Sequence, residues 1–161
     1  MITKIGKKEQ YVPYATDGKT SVVMWDYSPI KNEGEENEIG KWVMETIKYP
    51  TLEKVKEVIL SYYNHKIDDK ILKGMVWKGM NVWLSSENQF NYKTAYDITV
   101  ESKGMNLPIV FKFGDANTPI YYEFKTIEEL RDFYLSSVQY VQNTLSEGWK
   151  IKDSINWEFY K

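Results

Sequence analysis

Few side chains in this sequence belong to the types that do covalent chemistry, and they stand apart from one another. There is one histidine, His65, in the run Tyr62-Tyr63-Asn64-His65-Lys66-Ile67-Asp68-Asp69. An imidazole close to two carboxylates could act as a general base, or form part of a metal site with Asp68 or Asp69. The competing reading puts His65 at the C-terminal end of a helix, where an imidazole meets the last free carbonyls. No second histidine and no oriented serine stands nearby, so the second reading governs. Asp68-Asp69 then read as the acidic start of a short turn or helix. The chain contains no cysteine, which removes thiol nucleophiles, iron–sulfur clusters, disulfides and thiolate zinc sites. It has no phosphate-binding loop, no dinucleotide glycine fingerprint and no nucleophile elbow. A carboxylate pair acting on a glycosidic bond is a spatial arrangement that spacing neither specifies nor forbids. The sequence therefore nominates no catalytic residue, no metal ligand set and no cofactor.

Charge narrows the partners further. The 21 basic and 23 acidic residues leave a net charge of −2, too weak a field to gather a polyanion. Arg131 is the single arginine, so bidentate reading of phosphates or bases is poorly equipped and nucleic acid is disfavoured as a partner. Aromatic residues are the unusual quantity: six tryptophans and thirteen tyrosines. Most belong in the core or at its edge, where the ring is buried and the polar tip stays wet. A subset could form an exposed surface that stacks on sugar rings or anchors a partner protein. Tyr121 and Tyr122 adjoin in a strand and must point to opposite faces. Trp149, Ile151, Ile155, Trp157 and Phe159 make the C-terminus too apolar for a free tail, so it folds back or packs on another subunit. Tyr121, Tyr122, Trp149, Trp157 and Phe159 are thus the candidate ligand or interface aromatics.

These side chains must be positioned by hairpins and helices. In Met75–Leu84, Lys78-Gly79 is a two-residue turn signal. Counting outward pairs Trp77 with Met80, Val76 with Asn81, Met75 with Val82 and Gly74 with Trp83. One face then carries Met75, Trp77, Met80, Val82 and Leu84, while on the other the Trp83 indole can cover Gly74. Ser86 and Gln89 fit a capping box, and the helix they open would bury Tyr92, Ala95, Tyr96 and Thr99 and stop at Gly104.

The plan recurs twice. Leu107–Phe113 and Ile120–Phe124 read as strands joined by a turn-rich stretch. Thr126, with Glu129 at the box position, then caps a helix. Ile127, Leu130, Phe133, Tyr134, Val138, Val141 and Leu145 form its stripe, ending near Gly148. Upstream, Ser21–Tyr27 and Lys41–Lys48 read as strands and Pro50-Thr51 opens a helix. Leu52, Val55, Val58, Ile59, Tyr62 and Tyr63 make its apolar stripe. Ser28–Gly40 is polar, acidic and aperiodic, which reads as a solvated loop between two strands, with a linker or partner-binding segment as the alternative. The expected fold class is α+β: an antiparallel sheet built from β-hairpins alternating with helices in ββα-type units, the helices packed on one face. Residues 1–66 form an N-terminal hairpin plus helix packed on a hairpin-helix-hairpin-helix core, 67–161, unless the whole is one domain. The N-terminus is too short and too charged for a secretory signal, and no stretch is apolar enough to span a membrane.

Three segments carry a resemblance: VWKGMNVWLSSENQFNYKTAYD, LPIVFKFGDANTPIYYEF and TIEELRDFYLSSVQYVQNTLSEGWKIKDSI. Over roughly 67–155 the chain resembles a domain-of-unknown-function family of tailed phages and prophages, whose members tend to be encoded among tail and tail-fibre genes. The similarity lies in the strand with a glycine turn, the W-L-S-x-E-x-Q step into a helix, a second strand pair and a closing helix. It implies a phage-derived, tail-associated structural or assembly protein that works by protein contacts or self-association; with no signal or membrane span in view, the expected location is the bacterial cytoplasm, or the virion after assembly. It carries over no catalytic residue. The alternative is a small module whose exposed Trp and Tyr recognise carbohydrate. Under the tail reading, deleting Trp149–Lys161 should abolish association while leaving the core folded.

Overall fold

The computed structural model describes residues 1–30 and 38–161. Most of the loop expected over Ser28–Gly40 lies outside the described residues, and its two ends are strand. The fold is α+β. In chain order the elements are β1 (Ile2–Lys7), β2 (Tyr14–Thr16), β3 (Thr20–Ile30), β4 (Ile39–Lys48), α1 (Leu52–Lys73), β5 (Met75–Trp77), β6 (Met80–Val82), α2 (Ser86–Glu101), β7 (Ile109–Gly114), β8 (Pro119–Phe124) and α3 (Ile127–Asp153). The strand-strand-helix plan does occur three times, as β3–β4–α1, β5–β6–α2 and β7–β8–α3. The hairpins do not merge into one sheet, however. β1 and β2, which the sequence reading did not foresee, widen the first hairpin to a four-stranded antiparallel sheet of order β1-β4-β3-β2. β5–β6 and β7–β8 remain two-stranded.

The chain divides into two compact units. The first is Met1–Tyr63 with Ser154–Lys161, the second Asn64–Asp153. The C-terminal residues thus group with the first unit and not with 67–161.

In the first unit Val23, Trp25, Val43 and Ile47 of the sheet bury against Val55, Ile59 and Tyr63 of α1, joined by Tyr160. Strand alternation sends Trp42 to the opposite side from Val43. There it is buried, stacked 6.4 Å from Tyr27 with Tyr11 edge-on at 6.0 Å, so that face is covered without a helix. A bulge between Trp25 and Ser28 breaks the β3–β4 register, and Asp26 at that bulge takes a φ of 56°.

In the second unit the inward faces of both short hairpins meet α2 and α3 in one core. Trp77, Met80, Val82, Leu84, Tyr92, Phe113, Phe124, Leu130 and Phe133 are its buried members. The register Trp77↔Met80, Val76↔Asn81, Met75↔Val82 is the one counted from the sequence. Lys78 and Gly79 have φ of 47° and 77°, the pair of positive values that a tight primed turn requires. Rings dominate the packing: Phe133 lies within 4.9–5.9 Å, centroid to centroid, of Trp77, Tyr92, Phe111, Phe113 and Phe124.

Several element ends differ from expectation. Ser85, not Ser86, is the N-cap of α2, its Oγ accepting from the Asn88 N–H at 3.2 Å. Gln89 does not close a capping box; its Nε2 donates to the Leu84 carbonyl at 2.7 Å. Thr126 Oγ1 does cap α3, accepting from the Glu129 N–H at 3.2 Å. Gly104, at φ 83°, follows α2 as expected. Gly74 is not a strand residue under Trp83 but the positive-φ residue after α1, its N–H bonded to the Ile71 carbonyl. The Trp83 indole instead donates to the Gly114 carbonyl at 2.8 Å. Gly148 does not stop α3, which runs on to Asp153. Any Cβ there would collide with the Ile67 side chain, so this glycine permits a close approach of α1 and α3 inside the second unit.

Candidate functional site

A polar cluster of the second unit grows from the β5–β6 turn. Positive φ at Lys78 swings its side chain across Trp77, with Nζ 4.6 Å from the ring centroid. There Nζ donates to Glu129 Oε1 at 2.7 Å and to Tyr122 Oη at 3.0 Å. Tyr122 donates to the same Glu129 oxygen. Beside them the Trp77 indole donates to Asp132 Oδ2 at 3.0 Å. The Lys78 and Tyr122 hydrogen bonds hold the Glu129 carboxyl below the usual carboxylate range, and the same bonds push the Lys78 ammonium up. A carboxylate so saturated is stabilised as an anion and is a poor general acid or base at neutral pH. What this cluster does is tie two hairpins to the first turns of α3.

The five aromatics singled out from sequence fall into separate settings. Tyr122 is partly buried, packed against the core 5.1 Å from Trp77, and its hydroxyl is engaged by Glu129 and Lys78. Tyr121 faces outward at 69 % exposure, paired across the hairpin with Lys112. Trp149 is 51 % exposed on α3 of the second unit. Trp157 is half-buried against the first core, with Lys56 Nζ 5.6 Å from its ring. Phe159 is 61 % exposed, whereas its neighbour Tyr160 is buried and donates to the Met24 carbonyl at 3.1 Å. The C-terminal segment therefore folds back through Ile155, Trp157 and Tyr160. Deleting Trp149–Lys161 would open the first core, contrary to the expectation that this cut spares it.

His65 does not end a helix. It lies within α1, which continues through Asp68-Asp69 to Lys73, so those carboxylates do not begin a new element. Among the described residues there is no group of three or more His, Asp or Glu side chains placed to hold a metal ion. No helix among them is long and apolar enough to cross a membrane.

Continuation of α1 places Asp68 and Asp69 at the mouth of a cavity of about 590 Å³. One wall comes from α1 (Asp68, Asp69, Ile71, Leu72), another from Leu84 and the start of α2 (Ser85, Ser86, Gln89), and Val141 of α3 supplies the floor. Gln89 also lines a second depression of about 230 Å³, where Phe90 and Lys93 of α2 face Tyr134, Ser137 and Val138 of α3. The two depressions share Gln89 as a lining residue, and together they are referred to below as the groove over α3. Leu72, Phe90 and Val138 line it while remaining exposed, Phe90 at 68 %. The sequence reading missed this groove. Phe90 carried a signal, since it falls outside the Tyr92–Tyr96–Thr99 stripe of its own helix. Val138 and Leu72 carried none, because apolar residues at helical spacing read as core.

In the first unit, Tyr62 donates to Asp26 Oδ2 at 2.6 Å, which braces the positive-φ bulge. Burial, reinforced by Asp26, pushes the Tyr62 and Tyr63 hydroxyls up, out of the range in which they could ionise near neutral pH.

No protein-family profile matches the sequence, and no curated protein and no solved structure resembles it at a significant level.

Proposed function

We propose that this is a phage- or prophage-derived protein that acts through protein–protein contacts, as a tail-associated structural or assembly component. The resemblance over 67–155 supplies the context. The observation that carries the contact reading is the set of large apolar side chains left exposed around the groove of the second unit, Leu72, Val138 and Phe90, the last at 68 % exposure. Lone exposed apolar residues are ordinary, but a lined groove bordered by them is the form a partner site takes. Its polar groups support the same reading, since Lys78, Glu129, Tyr122 and Asp132 are engaged in holding hairpins to α3. The test is mass spectrometry of purified particles released by prophage induction of the source strain. Stoichiometric recovery makes the chain a virion component, and recovery from the lysate alone makes it an assembly factor. Absence from both sinks the tail reading.

One observation favours carbohydrate as a second reading. Tyr121 lies on the outward hairpin face with Lys112 opposite it and Val110 and Glu123 on the same face, an exposed ring flanked by hydrogen-bonding groups. Glycan-array binding that disappears in Tyr121→Ala would support it, and a blank array would remove it.

A further inference from the structure

We infer that the groove over α3 in the second unit is a docking site for an apolar segment of a partner protein that carries a lysine or arginine against Asp68 and Asp69. The inference rests on the protein-contact reading given above and adds the chemistry of the partner.

The shape comes first. One depression is lined by Ile71 and Leu72 of α1, Gln89 of α2 and Val141 of α3, and the other by Gln89 and Phe90 of α2 and Val138 of α3. Apolar depressions that share a lining residue between helices suit an amphipathic segment laid in by its apolar side. Leu72 and Phe90 stand exposed at the lips of the groove, where each can close over a partner's aliphatic side chain.

Charge then selects the partner. Asp68 and Asp69 are exposed, and neither takes part in an ion pair with another described residue. The remaining polar lining is neutral: one N–H of the Gln89 amide donates to the Leu84 carbonyl at 2.7 Å, its oxygen stays available as an acceptor, and Ser85 Oγ accepts from the Asn88 N–H. At the far end, Lys93 is paired with Asp97. The lining thus places the two carboxylates and no cation beside the apolar side chains of Ile71, Leu72, Leu84 and Val141, the complement of a guanidinium or ammonium next to aliphatic side chains. A second copy of this chain would be recognised by self-association through the same lips, and the experiment distinguishes it.

The experiment uses the full chain and two fluorescent amphipathic peptides that share one leucine stripe and end in arginine or in glutamate. Fluorescence anisotropy should show tighter binding of the arginine peptide. Asp68→Asn with Asp69→Asn should reduce that affinity about tenfold and abolish the preference. Leu72→Glu or Phe90→Glu should remove binding of both peptides, while Tyr121→Ala changes nothing. All of these positions are exposed, so circular dichroism should report unaltered folding. Equal affinity for the two peptides, no binding of either, or insensitivity to the groove substitutions overturns the inference. So does concentration-dependent self-association, seen by sedimentation, that Leu72→Glu abolishes, because the occupant is then a second copy. If groove variants still enter particles at wild-type stoichiometry, the contact reading stands and only the groove assignment falls.

Discussion

The two compact units apply one local plan with different means of completing a core. In the first, a hairpin is widened by β1 and β2, and a single helix covers it with aliphatic and tyrosine side chains. In the second, two short hairpins that could not stand alone share a core with α2 and α3, where five rings pack with Met80, Val82, Leu84 and Leu130. Their polar accounting differs too. The Trp77 and Trp83 indoles of the second unit donate to Asp132 and to the Gly114 carbonyl. In the first, the buried Trp25 and Trp42 Nε1 atoms have no acceptor among the described residues.

The comparison can be broken most directly at the ring cluster. Phe133→Ala removes a fully buried ring touching five others and should destabilise the second unit by about 3–5 kcal/mol. Urea unfolding followed by hydrogen exchange should place the loss in Asn64–Asp153; a uniform loss over both units would mean that they unfold as one. Gly148→Val comes next. Its side chain must displace Ile67, at a cost of about 1–3 kcal/mol that the additional change Ile67→Ala should partly relieve. No relief would mean that Gly148 serves some purpose other than close helix approach.

The indoles give a smaller effect with a sign to check. Trp77→Phe loses the hydrogen bond to Asp132, whereas Trp25→Phe removes an indole N–H that has no acceptor among the described residues. Thermal melts should therefore show Trp77→Phe as the more damaging change by about 1 kcal/mol. Equal losses would mean that ring volume alone matters. The smallest effect concerns pH. The Glu129 carboxyl lies below its ordinary value of 4.5, held there by the Lys78 and Tyr122 hydrogen bonds. Its bonds therefore stabilise the fold fully above that value and are lost as pH falls through the lower folded-state pKa. Glu129→Gln should flatten the stability profile below pH 4.5 and leave its shape near neutrality unchanged. An unaltered acid limb would show that the cluster adds nothing beyond packing.

The sequence by itself determined what depends on neighbours along the chain. The Lys78-Gly79 turn and its register followed from a local need for positive φ, and the Thr126 cap from a local orphan donor. The opposite facing of Tyr121 and Tyr122 followed from strand periodicity. Only the tertiary structure decided what depends on residues far apart in the chain. Glycine reads as a stop when the signal is local, yet Gly148 continues a helix because Ile67 occupies the space a side chain would need. Glu129 sits at a capping-box position, but Lys78, distant in sequence, offers its carboxylate a cation. The groove arises because α1 runs on past His65 and carries Asp68, Asp69 and Leu72 to the side of α3. Periodicity gives the face of each helix; which faces meet, and which remain open to a partner, is settled only when the helices pack.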